Sequence, residues 1–337
     1  MKQRVFFRAI LLSAFMVGLL VVQVSAQPPQ GQGRGIYGDW LVKSDFNGMT
    51  MESILALSRD QDGNITGTWI GGFGGMNELK DLTFADGKLS FTQERQGRDG
   101  QTITSKFSGT VADGVLTGTM SSDRGDREMK ASRLPRIPRA VGDWQMKYTM
   151  GDREIVSTLK IRSDEQGNLT ATWPSDMVEH TVTDIELNRR DLTFKRTTKM
   201  GDQEWQATFT GTLQGNEITG TFKSERGDME VTGTRLGGDL IGTWNLEVSS
   251  DFGDRKNRLV VYPDMTARYG AALVKKVTLD GDKVAFKLEM GFGDRTFEMD
   301  FAGKIADGKL TGELSNDMGT QDVTGTKVVR RRGMRGG

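Results

Sequence analysis

The chain has 337 residues, 44 of them Gly, with 45 Lys plus Arg balanced by 45 Asp plus Glu, a single His and no Cys. Zero net charge leaves no basic field to hold nucleic acid, and the missing cysteines exclude disulfides, thiolate metal sites and cysteine nucleophiles. One imidazole removes most other acid–base and metal designs, so no cofactor, no metal site and no catalytic residue is expected.

The first element is an export signal. Lys2, Arg4 and Arg8 precede an apolar stretch of 14 residues, Ala9 to Val22, which is short for a membrane span. Val24-Ser25-Ala26 follows with small residues at the positions a signal peptidase reads, which predicts cleavage before Gln27. Residues 1–26 are thus expected to be a signal peptide and 27–35 (QPPQGQGRG) a flexible leader. No transmembrane segment remains after cleavage and no cysteine offers a lipid anchor. The mature chain is expected in a bacterial periplasm or outside the cell, with a net charge of about −3.

The remainder is one unit written three times. Gly38-Asp39-Trp40, Gly142-Asp143-Trp144 and Gly242-Thr243-Trp244 open segments offset by 104 and then 100 residues. A Thr-rich run ending in an aromatic comes next: GNITGTW to Trp69, GNLTATW to Trp173 and a degraded DMTARY to Tyr269. Leu89-Ser90-Phe91, Leu192-Thr193-Phe194 and Val284-Ala285-Phe286 follow, then Phe107-Ser108-Gly109, Phe209-Thr210-Gly211 and Phe301-Ala302-Gly303. Leu116-Thr117-Gly118, Ile218-Thr219-Gly220 and Leu310-Thr311-Gly312 come after them, and each unit closes on Arg133, Arg235 or Lys327. Three homologous domains are expected, at 36–134, 140–236 and 241–329, with a basic tail at 330–337.

Within a unit the pattern is strand after strand. Ile103, Ser105, Phe107, Gly109 and Val111 share one face while Thr102, Thr104, Lys106, Ser108 and Thr110 share the other, the period of a half-buried antiparallel strand. Asp-Gly and Asn-Gly pairs recur every 8–14 residues and suit tight hairpins. Eight strands are predicted in the first unit, starting near Asp39, Met51, Asn64, Glu78, Lys88, Gln101, Val115 and Arg127. No helical period occurs. The expected fold is all-β: three tandem eight-stranded antiparallel up-and-down barrels, with three small β-sandwiches as the alternative.

The Gly-x-Trp opening, the third strand ending in an aromatic and the closing basic residue resemble the calycin barrels, the lipocalin and avidin superfamily, and the GTW-type modules of secreted bacterial proteins. The resemblance implies that the first-strand Trp plugs one barrel end and that the last basic side chain lies across it. Trp40 is then expected to meet Arg133, Trp144 to meet Arg235, and Trp244 to meet Lys327.

Candidate sites are few. His180 stands between strands of the second unit, where an exposed hairpin histidine is expected, because the first and third units carry Asn77-Glu78 and Val274-Lys275 instead. Arg124-Gly125-Asp126 and Arg226-Gly227-Asp228 read as a hairpin formula, since Gly-Asp recurs after Met150, Met200, Phe252 and Phe292. Asp60-x-Asp62-Gly63-Asn64 lacks the distal ligands of a calcium loop. Gly71-Gly72-Phe73-Gly74-Gly75 offers a lid over a barrel mouth. A ligand site is placed in the first barrel, lined by Trp69, Phe73, Phe91, Phe107 and Met120. Gly67, Gly109 and Gly118 share that inner face, either leaving room for a ligand or permitting tight curvature. The expected function is a non-catalytic exported binding protein for a small apolar or amphipathic molecule, a glycan or a surface partner. The alternative is a structural spacer with solid cores; an enzyme is the third reading. No motif names a protein partner.

Overall fold

A computed structural model describes residues 35–46, 49–72, 75–97, 100–250, 253–292 and 295–328. The signal peptide, most of the leader, Phe73 of the lid loop and the basic tail lie outside the described residues.

Every described element is a strand. Barrel 1 is β1 (Gly38–Phe46), β2 (Met49–Arg59), β3 (Ile65–Ile70), β4 (Met76–Ala85), β5 (Lys88–Gln96), β6 (Thr102–Ala112), β7 (Val115–Ser122) and β8 (Gly125–Arg133). Each pairs with the next, and β1 returns to β8 with Trp40 opposite Arg133. Barrel 2 repeats this as β9 (Gly142–Met150), β10 (Arg153–Ser163), β11 (Leu169–Thr172), β12 (Glu179–Asn188), β13 (Asp191–Met200), β14 (Gln203–Gln214), β15 (Glu217–Ser224) and β16 (Gly227–Arg235), closed by β16 on β9. Closure leaves no unpaired edge, which is how so short a strand set satisfies its backbone.

The third unit departs from the eight-strand count. Its sheet has nine strands: β17 (Gly242–Ser249), β18 (Arg255–Val261), β19 (Ala267–Tyr269), β20 (Ala272–Val274), β21 (Val277–Asp280), β22 (Lys283–Phe292), β23 (Arg295–Ala306), β24 (Lys309–Asn316) and β25 (Gly319–Lys327). β17 pairs with β25, but no ladder joins β20 to β21, so this barrel is nearly closed. The cause is local: the fourth strand, continuous as β4 and β12 in the other units, is broken at Lys275-Lys276 into β20 and β21.

The core of each barrel is built on one recurring set. Phe91 and Phe107 stack at 4.8 Å in barrel 1, Phe194 and Phe209 at 4.6 Å in barrel 2, and Phe286 and Phe301 at 4.5 Å in barrel 3. The second ring of each pair lies across two facing glycines. A Cβ on Gly211 would sit 2.5 Å from Phe209 Cζ and 2.7 Å from the Thr219 carbonyl oxygen, and its partner Gly220 is crowded in the same way. The glycines therefore make room for the protein's own phenyl ring. Gly211→Ala is expected to destabilise barrel 2 by about 1–3 kcal/mol through overpacking. A thermal melt unchanged within error would remove this account of the glycines.

Barrels 1 and 3 share a joint. Ile54 and Ile70 point outward from β2 and β3, yet both are fully buried, packed with Ala271 from the β19–β20 turn and flanked by Leu41, Ala56, Met76 and Leu134. Beside this patch Arg258 donates from both terminal nitrogens to the Asp39 carboxylate, at 3.2 and 3.0 Å. The β19–β20 turn thus docks the third barrel onto the first.

Candidate functional site

One end of every barrel is sealed in the same way. The indole Nε1 of Trp40, Trp144 and Trp244 donates to the carbonyl of Ile36, Ala140 and Leu240 at 2.8–2.9 Å. Over these rings lie the Arg133 guanidinium at 4.5 Å, that of Arg235 at 4.0 Å and the Lys327 ammonium at 5.6 Å. Arg235 also donates to the carbonyls of Val141 and Arg139, and its burial pulls the guanidinium pKa down to about 10. Lys327 donates to the Asp239 carbonyl at 2.5 Å. Any ligand must enter a barrel from its other end.

In barrel 1 that route leads to no chamber. Val42, Leu55, Trp69, Phe91, Phe107, Leu116, Met129 and Ala131 surround a void of about 10 Å³, at the threshold for a single water. Of the residues expected to line a ligand site, Phe91, Phe107 and Met120 are buried in this core and Trp69 packs against it, its ring centroid 6.2 Å from that of Phe91. The interior is filled by its own side chains.

Barrel 2 differs at one layer. The inward row of β13 runs Leu192, Phe194, Arg196, Thr198, so the strand period that buries the Phe also carries an arginine inside. Arg196 is only 6% exposed. Its guanidinium lies 4.1 Å from the Phe222 ring centre, 4.8 Å from that of Trp173 and 5.7 Å from that of Tyr148, and it bonds the Tyr148 hydroxyl. Nε and Nη1 have no hydrogen-bond partner among the described residues. Burial pushes this guanidinium below its ordinary pKa, with Tyr148 opposing the shift, and an arginine still stays charged.

Two further polar pairs stand above this layer. His180 on β12 shares a hydrogen bond of 3.0 Å with the Thr198 hydroxyl and meets Trp173 edge-on at 6.1 Å. Trp173 Nε1 donates to Ser157 Oγ at 2.9 Å. The histidine is half-buried rather than an exposed hairpin residue, because its inward position on β12 faces Trp173. Burial first, then the Arg196 charge, hold it below the ordinary imidazole pKa, so at neutral pH it is uncharged. This layer of barrel 2 therefore holds one positive charge.

The rim above mixes exposed methionines with charged turn residues such as Asp152, Asp176 and Asp202. Strand directions bring the β9–β10 turn, the segment before β12 and the β13–β14 turn to this same end, and they carry Met150, Met177 and Met200, all exposed. Arg226 from the β15–β16 turn stacks over Trp205 at 4.8 Å. Methionines with three rotatable bonds accommodate varied apolar shapes.

An arginine buried without a matching anion costs several kcal/mol. Fold stability does not call for it. By register the equivalents are Gln93 opposite Ser105 in barrel 1 and Leu288 opposite Met299 in barrel 3; in barrel 2 Arg196 faces the small Ala207. Three copies of one fold supply their own control, and two do without the charge. The sequence reading passed over Arg196, although its alternation with Leu192 and Phe194 marks it as inward.

Two clefts lie between barrels. One of about 520 Å³ is lined by Ile137, Arg139, Arg190, Leu213, Ile241 and Pro263 among others. A wider one of about 1190 Å³, between barrels 1 and 3, includes Tyr37, Arg59, Met76, Arg136, Asn245 and Arg258. Elsewhere the candidate loops satisfy themselves: the Asp60 carboxylate accepts from the Asp62 and Asn64 backbone and from Asn64 Nδ2. No group of three metal-ligating side chains occurs among the described residues.

Compared with known protein families and with curated proteins, the chain matches none. Among solved structures it is similar to a provisionally assigned outer membrane protein from Bacteroides fragilis, at 13% identity over 59% of this chain and 96% of that one, TM-score 0.23. It is also similar to transferrin binding protein B from Haemophilus parasuis, at 10% identity over 87% and 76% of the two chains, TM-score 0.20. The Neisseria meningitidis transferrin binding protein B matches at 11% identity over 86% and 75%, TM-score 0.19. No helix among the described residues is long and apolar enough to cross a membrane.

Proposed function

We infer that the chain is an exported, non-catalytic binding protein of calycin-like barrels, in which barrel 2 carries the seat for a small amphipathic molecule. The observation that carries this reading is Arg196, a buried guanidinium with two unpartnered donors inside an aromatic box under a methionine rim. Convergent polar groups within an apolar pocket are what a small-molecule site requires. The positive residues and apolar stretch before Gln27 support export. The polar groups of this layer and the one above are Arg, Tyr, His, Thr and Ser; the sole imidazole is bonded to a threonine hydroxyl, which supports binding over acid–base work.

A second reading is a structural spacer, and the filled interior of barrel 1 favours it for that barrel. Native mass spectrometry of the chain purified from its own source separates the two. A bound mass that vanishes on denaturation is expected of the binding protein. A bare polypeptide mass would move the function to the outer surfaces and the inter-barrel clefts.

A further inference from the structure

We propose that the ligand class of barrel 2 is an organic monocarboxylate with an apolar body, its carboxylate held by Arg196 and its body extending past the edges of Trp173 and Phe222 toward the exposed methionines at the open end. This rests on the reading of barrel 2 as a ligand seat and gives that seat its chemistry.

Charge counting comes first. The buried layer contributes one cation, Arg196, because the neighbouring His180 is neutral at pH 7. A single buried cation is balanced by a monoanion; a phosphate dianion would leave a charge uncompensated in an apolar wall. Donor geometry comes second. The unpartnered atoms are Nε and Nη1, and a carboxylate oxygen is a charge-matched acceptor for either of them. The Tyr148 hydroxyl bonds the same guanidinium.

The walls supply the third argument. Rings at 4.1 and 4.8 Å from the guanidinium carbon leave the bound anion surrounded by aromatic faces and edges, so the group attached to it meets apolar surface. Further out, Met150, Met177 and Met200 are exposed where an apolar body would emerge. A fully polar ligand, such as a glycan, would leave these surfaces unmatched.

The fourth is the internal comparison. Barrel 3 fills the equivalent layer with Leu288 and Met299, barrel 1 with Gln93 and Ser105. If Arg196 served only to plug the open end, an apolar residue would do so at lower cost, as it does in barrel 3.

The test uses the whole chain with indole-3-carboxylate and decanoate as probes, against indole-3-carboxamide, decanol and inorganic phosphate. Two readouts serve: titration calorimetry, and the imidazole NMR signals of His180, the only histidine present. Both carboxylates are expected to bind and shift the His180 signals, with the neutral analogues at least about 30-fold weaker and phosphate without effect. Arg196→Met should lose about 100-fold or more in carboxylate affinity while melting no lower than the parent. Gln93→Met at the equivalent site of barrel 1 should leave binding unchanged. If Arg196→Met does not fold, Arg196→Lys keeps the charge without the planar, delocalised set of donors and should bind at least about 10-fold more weakly.

The failures are distinguishable. Neutral analogues that bind as tightly as the carboxylates and still move His180 would overturn the carboxylate class and leave the ligand seat standing. Phosphate binding in preference would do the same. Carboxylate affinity retained in both Arg196 variants would overturn the role of Arg196. No probe moving the His180 signals, together with a bare mass from the native source, would overturn both the class and the seat.

Discussion

Replacing Trp144 by alanine is expected to produce the largest loss of stability in the molecule. The indole is completely buried at the sealed end of barrel 2, donates to the Ala140 carbonyl and lies under the Arg235 guanidinium. Removing it deletes one of the two tryptophans of that core and strips Arg235 of its aromatic face, at a cost of about 3–5 kcal/mol. Arg235 would remain fixed by the carbonyls of Val141 and Arg139, so a buried cation would face the new cavity. For a barrel of about 100 residues that loss corresponds to a fall in melting temperature of well over about 10 °C. Differential scanning calorimetry of the chain measures it, and an unchanged melt would mean that the seal is ornamental. The matching change at Trp244 should cost less, because its cation is Lys327 at 5.6 Å.

The second large effect is expected at the joint between barrels 1 and 3. Ala271 is buried against Ile54 and Ile70, outside either barrel's interior. Ala271→Asp would place a carboxylate in that apolar patch, where an uncompensated charge costs more than about 2 kcal/mol. The joint should open while both cores stay intact. Calorimetry is then expected to split one coupled transition of barrels 1 and 3 into two, and limited proteolysis to cut faster near residues 134–141. One unsplit transition with unchanged proteolysis would show that the Asp39–Arg258 pair holds the barrels without the apolar patch.

Much of this was legible in the residues. Period-2 alternation and Asp-Gly turns placed the first unit's strands to within two positions, as with Lys88 and Val115, which start β5 and β7 as read. The interior of barrel 2 was equally readable, since Arg196 stands two residues after Phe194 on the same face. Histidine and carboxylate patterns do not point to it, because a buried arginine binds anions rather than moving protons. The joint also left a trace: Ile54-Leu55-Ala56-Leu57 is apolar on both faces, the pattern of a strand covered on both sides.

The sequence by itself determined the all-β class, the threefold repeat and the inward face of most strands, because these follow from turn chemistry and a local period of two. Tertiary structure alone decided three things. Whether the inward glycines leave a cavity depended on where the ring two residues earlier would lie, and Phe107, Phe209 and Phe301 lie across them. Whether the third barrel closes depended on its fourth strand, which is broken into β20 and β21 just after the turn whose Ala271 packs on barrel 1. Whether Arg196 is paired depended on which side chains the other seven strands bring to its layer, and they bring aromatic rings and one hydroxyl. Each is a matter of packing between segments distant in the chain, which no local pattern encodes.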